Sequence, residues 1–290
     1  MSYDFPDSWV NILADALLWP DHPLGQNIAG TYDSLNRIDR DMLQSFFTNS
    51  YHPQNMLLTV SGAFQPEHVV NLLMAATSDM ALQASPLYAA VPELQSGSRN
   101  VVDNRPIEQG HLCLTMPALS RLDPSRYALA VLNTVLGDGM SSRLFLNIRE
   151  DKGLAYAVDS SAHFLQDAGA FTIYAGVDPE RAPEALQAIL SELQQLCDTP
   201  VPADELQKAK EYLKGRLVLG LEDSYSRAAW VAYQALFMDR IKLPEEVIAA
   251  YEAVTATEIQ TIAQQIINPN RYNLAVVGPF DSKEALIRLV

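Results

Sequence analysis

The sequence predicts an α+β fold of duplicated units, each a mostly antiparallel sheet covered by helices on one face, with the first unit incomplete. Three observations carry this prediction. Residues 38–74 match residues 254–290 without a gap, at an offset of 216. Strand-like runs arrive in groups with amphipathic helices gathered between them. A stretch rich in Pro, Ser and Gly, residues 85–100, has little periodicity and reads as a linker between the copies.

In the first copy, IDRDMLQSFFTNSYHP places Ile38, Met42, Leu43, Phe46 and Phe47 at helical spacing, with Asp39 as cap and Pro53 as stop. MLLTVSG reads as a buried strand closed by Gly62, and QPEHVVNLLMAA as a helix with Pro66 in its first turn. In the second copy, Val254, Ile259, Ile262 and Ile266 share a helical face, Pro269 stops the helix, and YNLAVVG closes at Gly278 before DSKEALIRLV. Asp7-Ser8 and Asp223-Ser224 stand at the same offset, each opening an apolar helix. Residues 1–74 thus pair only with 217–290, and residues 101–216 have no counterpart, so the expectation is a second unit preceded by the tail of a first. The expected organisation is residues 1–84 as the closing portion of a first domain, 85–100 as linker, and 101–290 as a complete second domain.

Within that second domain, EQGHLCLTMPA reads as a strand, DPSRYALAVLNTVLG as a helix ended by Gly137, and SSRLFLNIREDKG as a helix ended by Gly153. LAYAVDSSAHF and GAFTIYAGV read as paired strands, followed by three amphipathic helices in PERAPEALQAILSELQQLC, PADELQKAKEYLKGRLVLGLE and SYSRAAWVAYQALFM.

The 20 Lys and Arg against 35 Asp and Glu give a formal charge of −15, which repels phosphate backbones and anionic membrane surfaces, so no nucleic acid and no membrane is expected as a partner. The longest apolar runs are too short to cross a bilayer. Cys113 and Cys197 stand far apart with no CxxC spacing, which fits a reducing compartment. MSYDFPDSW has neither the basic nor the apolar region of a secretory signal, and the expected location is cytoplasmic.

His22, His52, His68, His111 and His163 never approach HxxEH, HExxH or HxH spacing, so no metal site is read from this sequence. No GxSxG elbow and no phosphate loop is present. GDGMSS, residues 137–142, follows a helix where a dinucleotide fingerprint must follow a strand; it reads as a helix C-cap, with Gly137 or Gly139 at positive φ and Ser141 capping the next helix. The most informative segment is SSRLFLNIREDKGLAYAV, with Arg143, Arg149 and Tyr156 on a short helix and the strand after it. Arg149 near a helix C-terminus is favoured by the macrodipole and suits a structural ion pair. Alternatively, guanidinium and phenol point together into a cleft and donate hydrogen bonds to a peptide carbonyl or a developing oxyanion. Spacing alone does not choose.

GDGMSSRLFLNIREDKGLAYAV resembles the second-domain signature of the pitrilysin, insulysin and mitochondrial processing peptidase family, and the resemblance extends over essentially the whole chain. It implies a processing-peptidase-like zinc metalloendopeptidase, with zinc held by two His of HxxEH and a downstream Glu. None of that motif is in this sequence, so the resemblance places the ligands and the general base outside it: no metal here, no catalytic residue here, zinc in the full-length protein. It assigns Arg149 and Tyr156 to substrate-backbone binding across a chamber, and Gly139 and Ser141 to a loop near the substrate. The implied partners are a peptide substrate and a second copy or a paired family subunit. The chain alone is expected to be inert. A non-catalytic partner or scaffold subunit of the same family is the alternative, and an unrelated α+β interaction domain would require the signature to be accidental.

Overall fold

The computed structural model describes residues 2–80, 84, 85, 87–92, 95–280 and 284–290. Residues 86, 93 and 94 of the expected linker, and the opening residues of the expected last helix, lie outside the described residues. The chain divides into two compact units, one of residues 1–26, 91–216 and 244–290, the other of residues 27–90 and 217–243.

The first unit is built on a five-stranded sheet of β1 (Arg99–Asn104), β2 (Gly110–Pro117), β3 (Ala155–Phe164), β4 (Gly169–Val177) and β5 (Asn273–Gly278), in the order β1-β5-β2-β4-β3. Every pairing is antiparallel except β1 with β5. Alternation along the strands decides what covers each face. Leu112, Leu114 and Met116 of β2, Phe171 and Ile173 of β4, and Leu274 and Val276 of β5 point to one side. There they meet α5 (Arg126–Leu136), α6 (Ala182–Asp198) and α10 (Ala256–Ile266). The α10 face expected from the sequence, Ile259, Ile262 and Ile266, is buried together with Val254 just before it. Each such side chain contributes about 1.5–3 kcal/mol by leaving water.

The alternate residues Cys113, Ala275 and Val277 point to the other face, where α1 (Pro6–Leu18) covers them with Val10 and Ala14. This second cover was not expected from the sequence. Both ends of α1 are tied down: Trp9 Nε1 donates to Asp103 Oδ2 at 2.8 Å, and Arg99 Nη1 to the Leu17 carbonyl at 2.6 Å. Strand β1 was also missed, and its first two residues lie within the stretch read as linker. A short RNVVDN run has only one apolar pair, and its parallel partner is far off in the chain.

The second unit contains α2 (Tyr32–Arg37), α3 (Arg40–Ser50), α4 (Pro66–Thr77) and, after α7 (Ala203–Gly220), α8 (Ser224–Phe237). Asp39 caps α3 as expected, accepting from the Met42 amide at 2.8 Å, and Pro66 opens α4. Two expectations are corrected here. MLLTVSG forms no strand and pairs with none among the described residues, and Ile38, Met42, Leu43, Phe46 and Phe47 are exposed rather than buried. A strand needs neighbours to satisfy its backbone and a helix face needs a layer to rest on; neither is present among the described residues. The chain closes through α9 (Pro244–Ala253), α10, β5 and α11 (Glu284–Ile287). Among the described residues no helix is long and apolar enough to cross a membrane.

Candidate substrate-binding site

The four residues singled out by sequence lie on one continuous path through the first unit, from the end of α5 to the start of β3. Gly137 ends α5, and a Cβ there would sit 2.4 Å from the Ser160 amide nitrogen, so α5 and β3 approach too closely for any side chain. The positive φ belongs to Gly139, at +115°, where an L side chain is strained. Ser141 does not cap the next helix. That fold-back is made by its neighbour Ser142, buried, whose Oγ donates to the Gly139 carbonyl at 2.7 Å; Ser141 is exposed.

The helix that follows, Leu144–Asp151, is a π-helix, a wider turn frequently found at functional sites. Leu144 and Ile148 anchor it in the core, and Gly153, at φ +58°, turns the chain into β3. Two polar ties fix its remaining side. Arg143 makes a two-pronged ion pair with Glu205 on α7, at 2.8 and 2.7 Å, and that hydrogen bonding holds its guanidinium pKa above the ordinary value. Asn147 Nδ2 donates to Glu192 Oε1 on α6 at 2.9 Å, while Glu192, 4% exposed, has no partner for Oε2 among the described residues.

Arg149 stands near the C-terminal end of this helix, its guanidinium carbon 4.8 Å above the Phe145 ring and its Nε 3.8 Å from Glu150, an exposed pair worth little. Tyr156 occupies a β-bulge, where the register of β3 on β4 shifts between Ala155 and Ala157, and it is 59% exposed. A bulge re-aims a side chain out of the sheet's alternation. Among the described residues no hydrogen bond joins Arg149 to Tyr156. Both present donors to solvent from adjoining elements whose backbones are held by a packed core.

Beside this path, on the sheet face that α1 partly covers, is a hollow of about 230 Å³ lined by Asp7, Ser8, Asn11, Asp159, Ser161, Thr172 and Tyr174. Burial raises the Asp159 carboxyl above its ordinary pKa, and the nearby Asp138 adds to the effect. Burial pushes the Tyr174 phenol up to about 12 and lowers His111, whose Nδ1 lies 2.9 Å from the Tyr174 hydroxyl. These groups offer hydroxyls and carboxylate acceptors to a polar ligand. Sequence reading missed them as a group, and missed Glu192 and Glu205, because the hollow gathers α1, β3 and β4 from distant parts of the chain and the two glutamates meet Asn147 and Arg143 45 and 62 positions away.

Among the described residues no group of three or more His, Cys, Asp or Glu is placed to hold a metal ion. The described side chains therefore do not fit a zinc centre.

Residues 37–213 match the protein family described as the peptidase M16 inactive domain. The chain is 32% identical over 291 residues to an uncharacterized zinc protease of Mycobacterium leprae, covering 99% of this chain and 65% of that protein. It is 30% identical over 279 residues to an uncharacterized zinc protease of Bacillus subtilis, covering 96% and 67%. The chain thus spans about two thirds of the length of these relatives. Among solved structures, the fold is shared with a peptidase M16 inactive domain from Pseudomonas fluorescens, with a TM-score of 0.88, 18% identity, and 98% and 68% coverage. A protease from Helicobacter pylori gives a TM-score of 0.87 at 22% identity, covering 94% of this chain and 67% of that one.

Proposed function

We propose a function from one premise: this chain belongs to the peptidase M16 family, through the domain described as inactive, in relatives named zinc proteases. In this reading it supplies the substrate-binding half of a peptide-hydrolysing chamber and does not itself cleave. Residues 101–290 act as the complete second domain, residues 1–84 as part of a first, and residues 85–100 as the link between them. Arg149 and Tyr156 donate hydrogen bonds to backbone carbonyls of an extended peptide and polarise the one to be cut; Gly139 and Ser141 border the same path. Zinc and the general base come from residues outside this sequence. The full chamber closes by pairing with a second copy or a family subunit.

The observation that carries the reading is the way Arg149 and Tyr156 are presented. Arg143 is committed to a two-pronged ion pair with Glu205, whereas among the described residues Arg149 has a carboxylate 3.8 Å away, itself exposed, and an aromatic ring. Tyr156 is turned outward by a backbone irregularity. Donors held on rigid elements with their polar ends free are what recognition of a peptide backbone needs.

The test supplies the chain with a zinc-bearing upstream region and follows cleavage of a fluorogenic peptide with and without chelator. The expected result is chelator-sensitive cleavage that falls at least about 100-fold in Arg149→Ala, the size of an oxyanion-donor loss, with Tyr156→Phe also reduced. Both variants are expected to melt where the parent does, because both side chains are exposed. Absence of chelator-sensitive cleavage defeats the reading. A scaffold subunit would instead show no dependence on either residue.

A further inference from the structure

Residues 138–142, between α5 and the π-helix, carry three consecutive backbone donors with nothing to donate to. Among the described residues no acceptor takes the amides of Gly139, Met140 or Ser141. The Gly139 carbonyl, by contrast, is used twice, by the Ser142 amide at 3.2 Å and by the Ser142 Oγ at 2.7 Å. Upstream, the Asp138 amide donates to the Asn133 carbonyl at 3.0 Å. Between those ties stands Gly139 at φ +115°, the residue type with the most backbone freedom to lose on ordering. Such donors recognise the carbonyl oxygens of a peptide only while the loop keeps one shape.

Support for that shape comes from α7. Glu205, Tyr212 and Arg216 stand seven and four residues apart and so share one stripe of the helix. All three meet the same segment. Glu205 pairs with Arg143, Arg216 Nη1 donates to Asp138 Oδ2 at 2.8 Å, and the Tyr212 ring faces Gly139, where an added Cβ would lie 3.7 Å from its Cζ. The helix has other anchors of its own: Ala209 is buried in the core, and Lys210 Nζ donates to the Glu252 carbonyl at 2.8 Å. Tyr212, in contrast, is 43% exposed and the Arg216 side chain 63% exposed. An exposed ion pair and a half-exposed ring add little to global stability, so what the two contacts change is the freedom of the loop beneath them.

We propose that Tyr212 and Arg216 are positioning residues, which from α7 fix residues 138–142 in the shape that aims the amides of Gly139, Met140 and Ser141 at carbonyl oxygens of an extended peptide. The proposal rests on the reading of Arg149 and Tyr156 as substrate-binding groups and adds to them backbone donors, which engage a peptide whatever its side chains. Tyr212 acts through its ring on Gly139 and not through its hydroxyl, so phenylalanine serves in its place.

Amide order parameters in the 290-residue chain test the hold on the loop. Gly139, Met140 and Ser141 are expected at about 0.85, the value of rigid backbone, and below about 0.6 in a Tyr212→Ala, Arg216→Gln double variant. Tyr212→Phe is expected to keep the parent values. The role in binding is read with the fluorogenic peptide in the zinc-bearing assembly. There the double variant should raise KM about 10-fold, the scale of ordering one residue's backbone, with kcat within about twofold and the melting temperature unchanged. Order parameters that do not fall, a loss of kcat with KM unmoved, a lowered melting temperature, or Tyr212→Phe behaving like the double variant would each overturn the proposal. Failure of the underlying reading is recognised separately: Arg149→Ala then leaves cleavage intact whatever the order parameters show, and the loop's role in peptide binding falls with it.

Discussion

Replacing Asn147 by alanine tests whether the π-helix is held by its tie to α6. The amide is the donor to Glu192 Oε1, and Oε2 has no partner, so the variant leaves a carboxylate that is 4% exposed with neither oxygen hydrogen-bonded. A hydrogen bond to a charged group contributes about 1.5–3 kcal/mol, and stranding a buried charge costs about 3–5 kcal/mol when nothing compensates it. Arg143 is near enough to interact electrostatically with Glu192 and offsets part of that penalty. The expected loss is therefore about 2–3 kcal/mol, felt locally, which corresponds to roughly 30- to 150-fold faster amide exchange over residues 144–151. In a Glu192→Met background there is no carboxylate to strand, and the same substitution should lose less than about 1 kcal/mol, giving a coupling of about 1–3 kcal/mol in a double-mutant cycle, within the scale for residues in contact. Equal acceleration in the two backgrounds would refute the reasoning, because the effect would then come from helix propensity or packing and not from the tie.

Arg143→Lys is expected to recover only part of what Arg143→Ala loses in thermal stability, since one ammonium cannot reproduce the two-pronged contact with Glu205; full recovery would show that only charge matters. Gly169→Ala places a Cβ 2.0 Å from the Leu119 carbonyl oxygen, and urea unfolding should show a loss of at least about 3 kcal/mol, the upper end for overpacking; a neutral substitution would mean that the turn yields. Asp15, on α1, is exposed by surface area, yet the partial loss of water around its carboxyl pushes it up to about 6; that exposure limits what the shift contributes to stability. The folded chain then keeps a proton that the unfolded chain gives up near 3.8, so stability falls as pH rises from about 4 through about 6. Asp15→Asn should flatten that fall, by less than about 1 kcal/mol because the side chain is partly solvated; urea midpoints at pH 4 and pH 7 measure it, and an unchanged slope would exclude Asp15 as its source.

The sequence was most legible where one segment's pattern determined its own fate. The α10 face, the Asp39 cap, the glycine after the π-helix and the apolar runs of β2, β4 and β5 needed no knowledge of partners beyond the existence of a core. It was least legible where a remote partner decided. Strand β1 forms because β5 offers a free parallel edge, and nothing in RNVVDN announces this. A four-residue spacing of Leu144 and Ile148 suits an α-helix as well as a π-helix, and the polar ties at Arg143 and Asn147 run to residues 62 and 45 positions away. The site residues were found through a family signature; their outward aim rests on the π-helix and the bulge at Tyr156, neither of which leaves a periodic trace.

The contrast between the two copies separates what a segment is built to contact from what it contacts. Residues 57–62 and β5 have matching sequence pattern, yet only β5 is a strand, because among the described residues hydrogen-bonded neighbours and a covering layer are supplied to one and not the other. The leading helix of the first copy, by contrast, is packed along its length, with Trp9 and the Leu17 carbonyl both engaged, since the surface it needs is the sheet of the second copy and that sheet is complete. An element therefore gains tertiary stability from the partner it rests on and not from the copy it belongs to. By the same logic, α1 supports the frame that carries Arg149 and Tyr156: it closes the rear of the sheet over Cys113, Ala275 and Val277, which would otherwise lie open to water beneath the strands that hold the site in place.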